Sequence, residues 1–166
     1  MLRVMGLVAV LVLSGCGPSV PSEQQKRRDA ADVAAVEAIQ KIAPPIRPLQ
    51  LQVITAEEIT AKNLGGEGCS FGPDSAHPLA LALVGRAMIK FDDRIELLLS
   101  DSGGTKLVAG AWEHYLGKEY TLTVKRAGGK ETAGVAASTE FPGELTIRDA
   151  WDRIVYSGQG TLNCGA

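Results

Sequence analysis

Turn residues divide the sequence after Gly66 into short segments, and this division restricts the fold more than any other feature. The segments are either apolar or alternate between apolar and polar residues, which is typical of β-strands that bury one or both faces. They lie at residues 79–84, 87–91, 94–99, 120–125, 144–148, 153–157 and 161–163, with 132–138 as a weaker candidate. Glycine and aspartate between them favour tight turns. We therefore predict a mainly β fold, a small antiparallel β-barrel or sandwich.

Two helices are predicted before these strands. Ser22 is a favourable N-cap for an Ala-rich helix from about residue 23 to 42, and the prolines that follow end it. Its larger apolar residues recur every three positions, at Val33, Val36, Ile39 and Ile42. This narrow stripe fits a solvated spacer helix or, as an alternative, weak docking on another surface. Residues 49–53 alternate and predict a short strand or extended segment. Thr55 and Glu58 have capping-box spacing, which predicts a second, short helix.

The first residues have the composition of an export signal. Arg3 precedes an unbroken apolar run at residues 4–13, which is shorter than the roughly 20 residues that a membrane-spanning helix needs. The run matches the apolar part of a secretory signal peptide, which is about 7–15 residues long. Small residues then lead to Cys16 in the sequence Leu-Ser-Gly-Cys. These features together predict that the chain is exported.

The sequence from Leu13 to Cys16 resembles the lipobox of bacterial lipoproteins. The resemblance implies that the thiol of Cys16 is joined to diacylglycerol and that the chain is cut just before it. Two or more acyl chains anchor a protein stably. In that family, Gly17 in place of aspartate implies transfer to the outer membrane. The alternative to a lipobox is that these residues belong to an ordinary signal peptide or to an apolar core segment.

The expected domain organisation has three parts. These are a signal peptide at 1–15, a lipidated tether with the spacer helix at 16–48, and a β-rich domain at 49–166.

The charge of the chain argues against several kinds of partner. Lys and Arg number 17 against 19 Asp and Glu, and loss of Arg3 with the signal leaves 16 against 19, a formal charge of −3. Nucleic-acid binding requires basic residues clustered on one face, and this mildly acidic balance does not indicate one. Residues 103–106, Gly-Gly-Thr-Lys, lack the spacing of a phosphate-binding loop. We expect no nucleic acid and no cofactor, and a membrane association that depends on the lipid.

Two cysteines remain once Cys16 is assigned to the lipid. Thiols of an exported protein enter an oxidising compartment, which favours a disulfide between Cys69 and Cys164. They are 95 residues apart, and closing a loop of that length contributes about 4–5 kcal/mol on the chain-entropy model. A metal pair is the alternative, but neither cysteine belongs to a Cys-x-x-Cys or Cys/His cluster. We predict a disulfide that closes the β-rich domain.

Several motifs associated with catalysis have structural explanations. Gly68–Gly72 matches the Gly-x-Ser-x-Gly elbow of α/β-hydrolases, but the Pro-containing segment after it cannot form the helix that this elbow requires. His77 and His114 lack the organised spacing of a zinc site. Five aspartates lie at predicted turns and not in a recognisable carboxylate pair: Asp92, Asp93, Asp101, Asp149 and Asp152. We expect neither catalytic residues nor a metal, with an esterase that uses Ser70 as a distant alternative.

The segment from Ser100 to Lys106, followed by Trp112, is similar to the Ser/Gly-rich inhibitory loop of membrane-bound inhibitors of C-type lysozyme. Those proteins are small antiparallel barrels tethered in the bacterial envelope. The resemblance implies a candidate binding loop formed by Ser100, Ser102, Lys106 and Trp112. The chain as a whole also resembles small, uncharacterised envelope lipoproteins of Gram-negative bacteria.

These observations predict a cell-envelope lipoprotein anchored in the outer membrane and facing the periplasm. Its β-rich domain is expected to do binding or structural work without catalysis, against a protein, peptidoglycan or a small ligand. Inhibition of a cell-wall hydrolase of the lysozyme type is the alternative function.

Overall fold

This computed structural model describes residues 22–40, 42–130, 132–134 and 138–165, with the side chain of Gln40 excepted. The predicted signal peptide and the predicted lipid site at Cys16 lie outside the described residues. The chain forms two compact units, Met1–Pro44 and Pro45–Ala166. The sequence prediction placed the start of the β-rich domain at residue 49.

The first unit contains helix α1, Glu23–Gln40, which confirms the predicted spacer helix. The hydroxyl of Ser22 accepts a hydrogen bond from the backbone N–H of Gln25 at 3.2 Å, as expected of an N-cap. Val33, Val36 and Ile39 are each more than half exposed, so the apolar stripe of this helix faces solvent. None of the described helices is both long and apolar enough to cross a membrane.

The described part of the second unit contains nine antiparallel strands, and eight of them close into a barrel. They are β1 (Gly68–Gly72), β2 (Ala80–Leu83), β3 (Arg86–Phe91), β4 (Arg94–Ser100), β5 (His114–Leu116), β6 (Tyr120–Arg126), β7 (Thr132–Ala133), β8 (Thr139–Asp149) and β9 (Ile154–Gly165). Strands β1 to β6 pair in chain order, β6 pairs with β8, β8 with β9, and β9 with β1. Strand β7 pairs with β8 alone. The prediction of a mainly β fold is confirmed, and the architecture is the barrel.

Side chains from every strand of the ring fill the barrel interior. The large members of this core include Phe71, Ile89, Tyr115 and Leu122, all almost inaccessible to solvent. The ring of Phe71 extends towards the neighbouring strand β9 and the next strand, β8, where Gly160 and Gly143 leave room for it. A β-carbon at Gly160 would lie 3.1 Å from Cζ of Phe71, too close for ordinary packing. The interior is therefore a packed core.

A second apolar cluster lies on the outer face of β2 and β3. Leu81, Leu83 and Met88 alternate with the inward-facing residues and pack against Ile54 and Leu64. The chain reaches this position through the second helix, α2 (Ala56–Ala61). One wall of the barrel is thus covered by the segment that precedes the strands.

Helix α2 begins at the predicted capping box. The Thr55 hydroxyl accepts from the backbone N–H of Glu58, and the Glu58 carboxylate accepts from the backbone N–H of Thr55 at 3.0 Å. The ammonium of Lys90 on β3 lies 2.7 Å from the same carboxylate. Its hydrogen bond is the main reason that the pKa of Glu58 falls to about 2. One side chain therefore both caps the helix and joins it to the barrel.

Two sequence predictions need correction, and for a third one of its alternatives is excluded. Residues 49–53, for which the sequence predicts a short strand or an extended segment, form no strand. They join the barrel through single hydrogen bonds, such as Leu49 N–H to Val155 O at 2.8 Å. Residues 161–163 are not a separate strand, because pairing on both sides carries β9 through its glycines. The weak candidate 132–138 contributes only Thr132–Ala133 as a strand, and residues 135–137 lie outside the described part.

Two short strands were not predicted. Strand β5 has only three residues, which is too few for a periodicity to be recognised. Strand β1 coincides with the Gly-x-Ser-x-Gly motif, and all five of its residues pair with β9. Strand β5 pairs with its chain neighbours β4 and β6, whereas β1 pairs both with the next strand, β2, and with the distant β9.

The predicted disulfide joins the first and last strands of the ring. Cys69 on β1 lies directly opposite Cys164 on β9, with their Cα atoms 4.0 Å apart. Both cysteines belong to the barrel core, with 2% and 4% of their surface exposed. The bond therefore stabilises the strand pair, β1 with β9, that closes the ring.

We predict that loss of this bond strongly destabilises the domain. Cys69→Ser/Cys164→Ser in a Cys16→Ser background should lower the free energy of unfolding by about 4–5 kcal/mol on the chain-entropy model. For a domain of this size that corresponds to a decrease in Tm of roughly 10–25 °C. Thermal unfolding followed by circular dichroism provides the measurement, with the Cys16→Ser chain as control. An unchanged Tm would contradict the structural role assigned to the disulfide.

Candidate functional site

The four residues predicted as a candidate binding loop lie at or near the connection between β4 and β5, here called the 101–113 loop. Its base is a turn organised by Asp101, whose backbone N–H donates to the carbonyl of His114 at 2.9 Å. The Asp101 carboxylate accepts from the backbone N–H of Gly103 at 3.1 Å. The aspartate thus closes the turn, as this residue commonly does.

Beyond this turn the loop folds back on itself. The backbone N–H of Glu113 donates to the carbonyl of Thr105 at 2.9 Å, and Lys106 forms an antiparallel bridge with Trp112. At the tip, Ala109 and Gly110 have positive φ values of 52° and 71°, which reverse the chain within a few residues. The loop is a short two-stranded ribbon with its own hydrogen bonds.

Tyr115 holds the ribbon against the barrel. Its side chain is fully buried, and its hydroxyl accepts from the backbone N–H of Trp112 at 2.9 Å. The same hydroxyl donates to the carbonyl of Leu83 at 2.7 Å. Burial raises the pKa of Tyr115, so the phenol keeps its proton and donates this bond at neutral pH. One hydroxyl therefore connects the loop to the end of β2.

Lys106 and Trp112 form the most distinctive surface of the loop. The Lys106 ammonium lies 4.8 Å from the centroid of the Trp112 ring, within the range of a cation–π interaction. Lys106 is exposed, whereas Trp112 is half-buried and packs partly against the barrel core. The pair presents a positive charge on a rigid aromatic base.

The two predicted serines occupy different positions. Ser100 is the last residue of β4, lies opposite Tyr115 and is half-buried. Ser102 is exposed at the Asp101 turn. Among the described residues, no hydrogen bond joins either serine to Lys106 or Trp112. The structure therefore brings two of the four predicted residues into contact and places a third at the adjacent turn.

Ser70 lies within β1 and not at a turn between a strand and a helix. Its neighbours across the sheet are Leu81 on β2 and Asn163 on β9. The nearest histidine in sequence, His77, contacts the Asp74 carboxylate through Nδ1 at 2.8 Å. This hydrogen bond is the main cause of the lowered pKa of Asp74. The described residues around Ser70 thus lack the geometry of a nucleophile elbow.

The aspartates found by sequence contribute to turns. Asp92 and Asp93 both have positive φ, 48° and 56°, as the two central residues of a tight hairpin turn require. Asp149 accepts from the backbone N–H groups of Trp151 and Arg153 and binds the Arg153 guanidinium, which lowers its pKa. No group of three or more His, Cys, Asp or Glu side chains in the described ranges is arranged to hold a metal ion.

The chain matches no model of a known protein family, and comparisons with curated proteins and with solved structures find no match.

We predict that Tyr115→Phe loosens the 101–113 loop. The change leaves the Leu83 carbonyl and the Trp112 N–H without their partner, which should cost about 1–3 kcal/mol. Amide hydrogen exchange should become faster in the loop, most of all at Trp112. Tyr120→Phe is the matched control, because that ring keeps its edge-to-face contact with Phe91. Equal exchange at Trp112 in both variants would show that the hydroxyl does not hold the loop.

Proposed function

We propose that this protein is a cell-envelope lipoprotein that carries lipid on Cys16 and presents its barrel to the periplasm as a non-catalytic binding domain. The N-terminal sequence supports the lipid and the export. The Cys69–Cys164 disulfide supports an oxidising compartment, since such bonds are rare in reducing ones. The proposed final location is the outer membrane, on the basis of Gly17.

The observation that carries the binding proposal is the packed barrel interior. Small barrels either fill their interior with side chains or hold a ligand there. Here large buried side chains such as Phe71 and Tyr115 occupy the interior described. A partner must therefore bind the outside of the barrel or its connecting loops.

The 101–113 loop is the connection best suited to a protein partner. Its backbone is held by its own hydrogen bonds and by Tyr115, so little conformational entropy is lost on binding. It presents Lys106 above Trp112 and leaves Val108 at its tip 42% exposed. Aromatic, cationic and apolar groups on a rigid element are typical of energetically important interface residues. We propose an envelope protein with an acidic recognition surface as partner.

Inhibition of a cell-wall hydrolase is the second candidate function. Lys106 is exposed on the narrow ribbon and Ser102 is exposed at the turn at its base, an arrangement that suits insertion into a cleft. In this reading the acidic partner surface is the active-site cleft of a lysozyme-type enzyme, whose catalytic groups are carboxylates.

The lipid anchor has a direct test. Cys16→Ser should abolish incorporation of labelled palmitate and should release the chain from the membrane fraction, because the apolar run at 4–13 is too short to span a bilayer. Ser19→Ala, a change just beyond the lipobox, should leave labelling and fractionation unchanged. Absence of palmitate from the wild type, together with a Cys16→Ser chain that still sediments with membranes after a high-salt wash, would contradict the proposal that lipid on Cys16 anchors the protein.

The loop is tested by cross-linking in intact cells. Wild type should form a discrete adduct with an envelope protein, and Lys106→Gln or Ser102→Ala should reduce its yield about tenfold through loss of a charge-assisted or neutral hydrogen bond. Lys62→Gln removes an exposed lysine next to α2 and serves as control. An adduct whose yield is unchanged by both loop substitutions would contradict the proposal that the 101–113 loop binds the partner.

The hydrolase-inhibitor function has a separate test. Inhibition of C-type lysozyme by the Cys16→Ser chain at micromolar concentration would identify this function.

A further inference from the structure

The outer wall formed by β5, β6 and β8 carries a polar recess. Across these three strands His114 lies opposite Thr123, and Thr123 lies opposite Thr146. Their side chains alternate with buried core residues and therefore face outwards. The recess has a volume of about 290 Å³ and is lined by His114, Thr123, Lys125, Glu144, Thr146 and Arg148.

Two cationic side chains in this recess have hydrogen-bonding capacity to spare. Lys125 is in register with Glu144, but no carboxylate of the described residues lies within 4.0 Å of its ammonium. Arg148 donates one bond from Nη1 to the carbonyl of Asp152 at 2.7 Å. The Asp152 carboxylate lies 3.6 Å from that nitrogen. A guanidinium has five N–H donors, so others remain for a ligand.

The recess also contains oxygen acceptors. Nδ1 of His114 lies 3.1 Å from the Thr123 hydroxyl, and this contact fixes the imidazole against the wall. The Glu144 carboxylate and the Thr146 hydroxyl face outwards from β8. The lining therefore combines cationic donors with carboxylate and hydroxyl acceptors, and each of its residues has a polar or charged side chain.

This combination restricts the chemistry of a ligand. Arg148 favours an anionic group, while Glu144, which lies four residues away on β8 and opposite Lys125, would repel one that occupied the whole recess. A ligand that carries one carboxylate and several hydroxyls suits both parts of the recess, because its carboxylate accepts from Arg148 and its hydroxyls donate to Glu144 and Thr146. The volume lies near the lower limit for ligand sites and fits a single ring. We propose that this wall recess binds an acidic sugar, with the carboxylate at Arg148 and the hydroxyls at Thr146, Glu144 and Lys125.

The site is separate from the proposed protein-binding surface of the 101–113 loop. Its residues belong to strands, whereas Lys106 and Ser102 belong to the connection before β5. Failure of the loop proposal leaves the acidic-sugar site intact, and the reverse also holds. Lys106→Gln and Ser102→Ala should impair only the binding of the protein partner, whereas Lys125→Gln and Thr146→Val should impair only the binding of the acidic sugar.

The test is a titration of the ¹⁵N-labelled Cys16→Ser chain, at constant ionic strength, with sodium glucuronate, glucose or sodium acetate. Glucuronate should shift the amide resonances of Thr123, Thr146 and Arg148 with a dissociation constant on the order of 1 mM, as expected for so small a ligand. Glucose lacks the charge and acetate lacks the hydroxyls. Each should therefore bind about tenfold more weakly or not measurably.

Variants assign the binding to the recess. Lys125→Gln and Thr146→Val replace outward-facing groups without altering the core, and each should weaken glucuronate binding about fivefold to tenfold. Lys62→Gln should leave the titration unchanged. Acetate that binds as tightly as glucuronate would reveal a simple anion site and overturn the proposal. Equal binding of glucose, shifts confined to other residues, or no shift at tens of millimolar glucuronate would also overturn it.

Discussion

Closure of the barrel between its first and last strands is the constraint on which the rest of the structure depends. Strands β1 and β9 come from opposite ends of the domain, and bringing them together costs more chain entropy than any hairpin of the ring. The Cys69–Cys164 bond offsets that cost at the seam itself. Two segments attach to the closed ring: residues 49–53 by single hydrogen bonds, and β7 by pairing with the first residues of β8, which lie beyond those that pair with β6.

In a closed and filled ring, the outer faces and connecting loops of the barrel are the accessible surface. The outer face of β2 and β3 is covered by Ile54, Leu64 and helix α2, and the bond between Glu58 and Lys90 holds that covering in place. On β4 and β5 the exposed leucines 97, 99 and 116 continue the apolar surface. The wall of β5, β6 and β8 is polar instead. The barrel therefore presents chemically different faces, with the 101–113 loop leading directly into β5.

The candidate loop could be found from sequence only in part. The turn at Asp101 and the nearby Lys106 and Trp112 were visible as residue types. Their contact depends on the loop folding back on itself, and on a hydroxyl from Tyr115 that binds both the loop and β2. A tyrosine in a three-residue strand has no local signature of such a role. The wall recess left no sequence signal at all, because its residues come from three strands that only the register brings together.

The sequence by itself determined the local features of this protein. Ser22 caps the spacer helix, Thr55 and Glu58 form the capping box, Asp92 and Asp93 make a hairpin turn, and alternation marks the longer strands. Each of these depends on neighbours within a few residues, where side-chain chemistry and backbone conformation decide the outcome. The two cysteines also predicted one long-range contact, since a covalent bond between them needs no pattern in between. Only the tertiary structure decided that the sheet closes into a barrel, that β9 continues through its glycines, and which outward-facing residues share a wall. Strand order and register determine those relations, and both arise from packing of the whole core around residues such as Phe71.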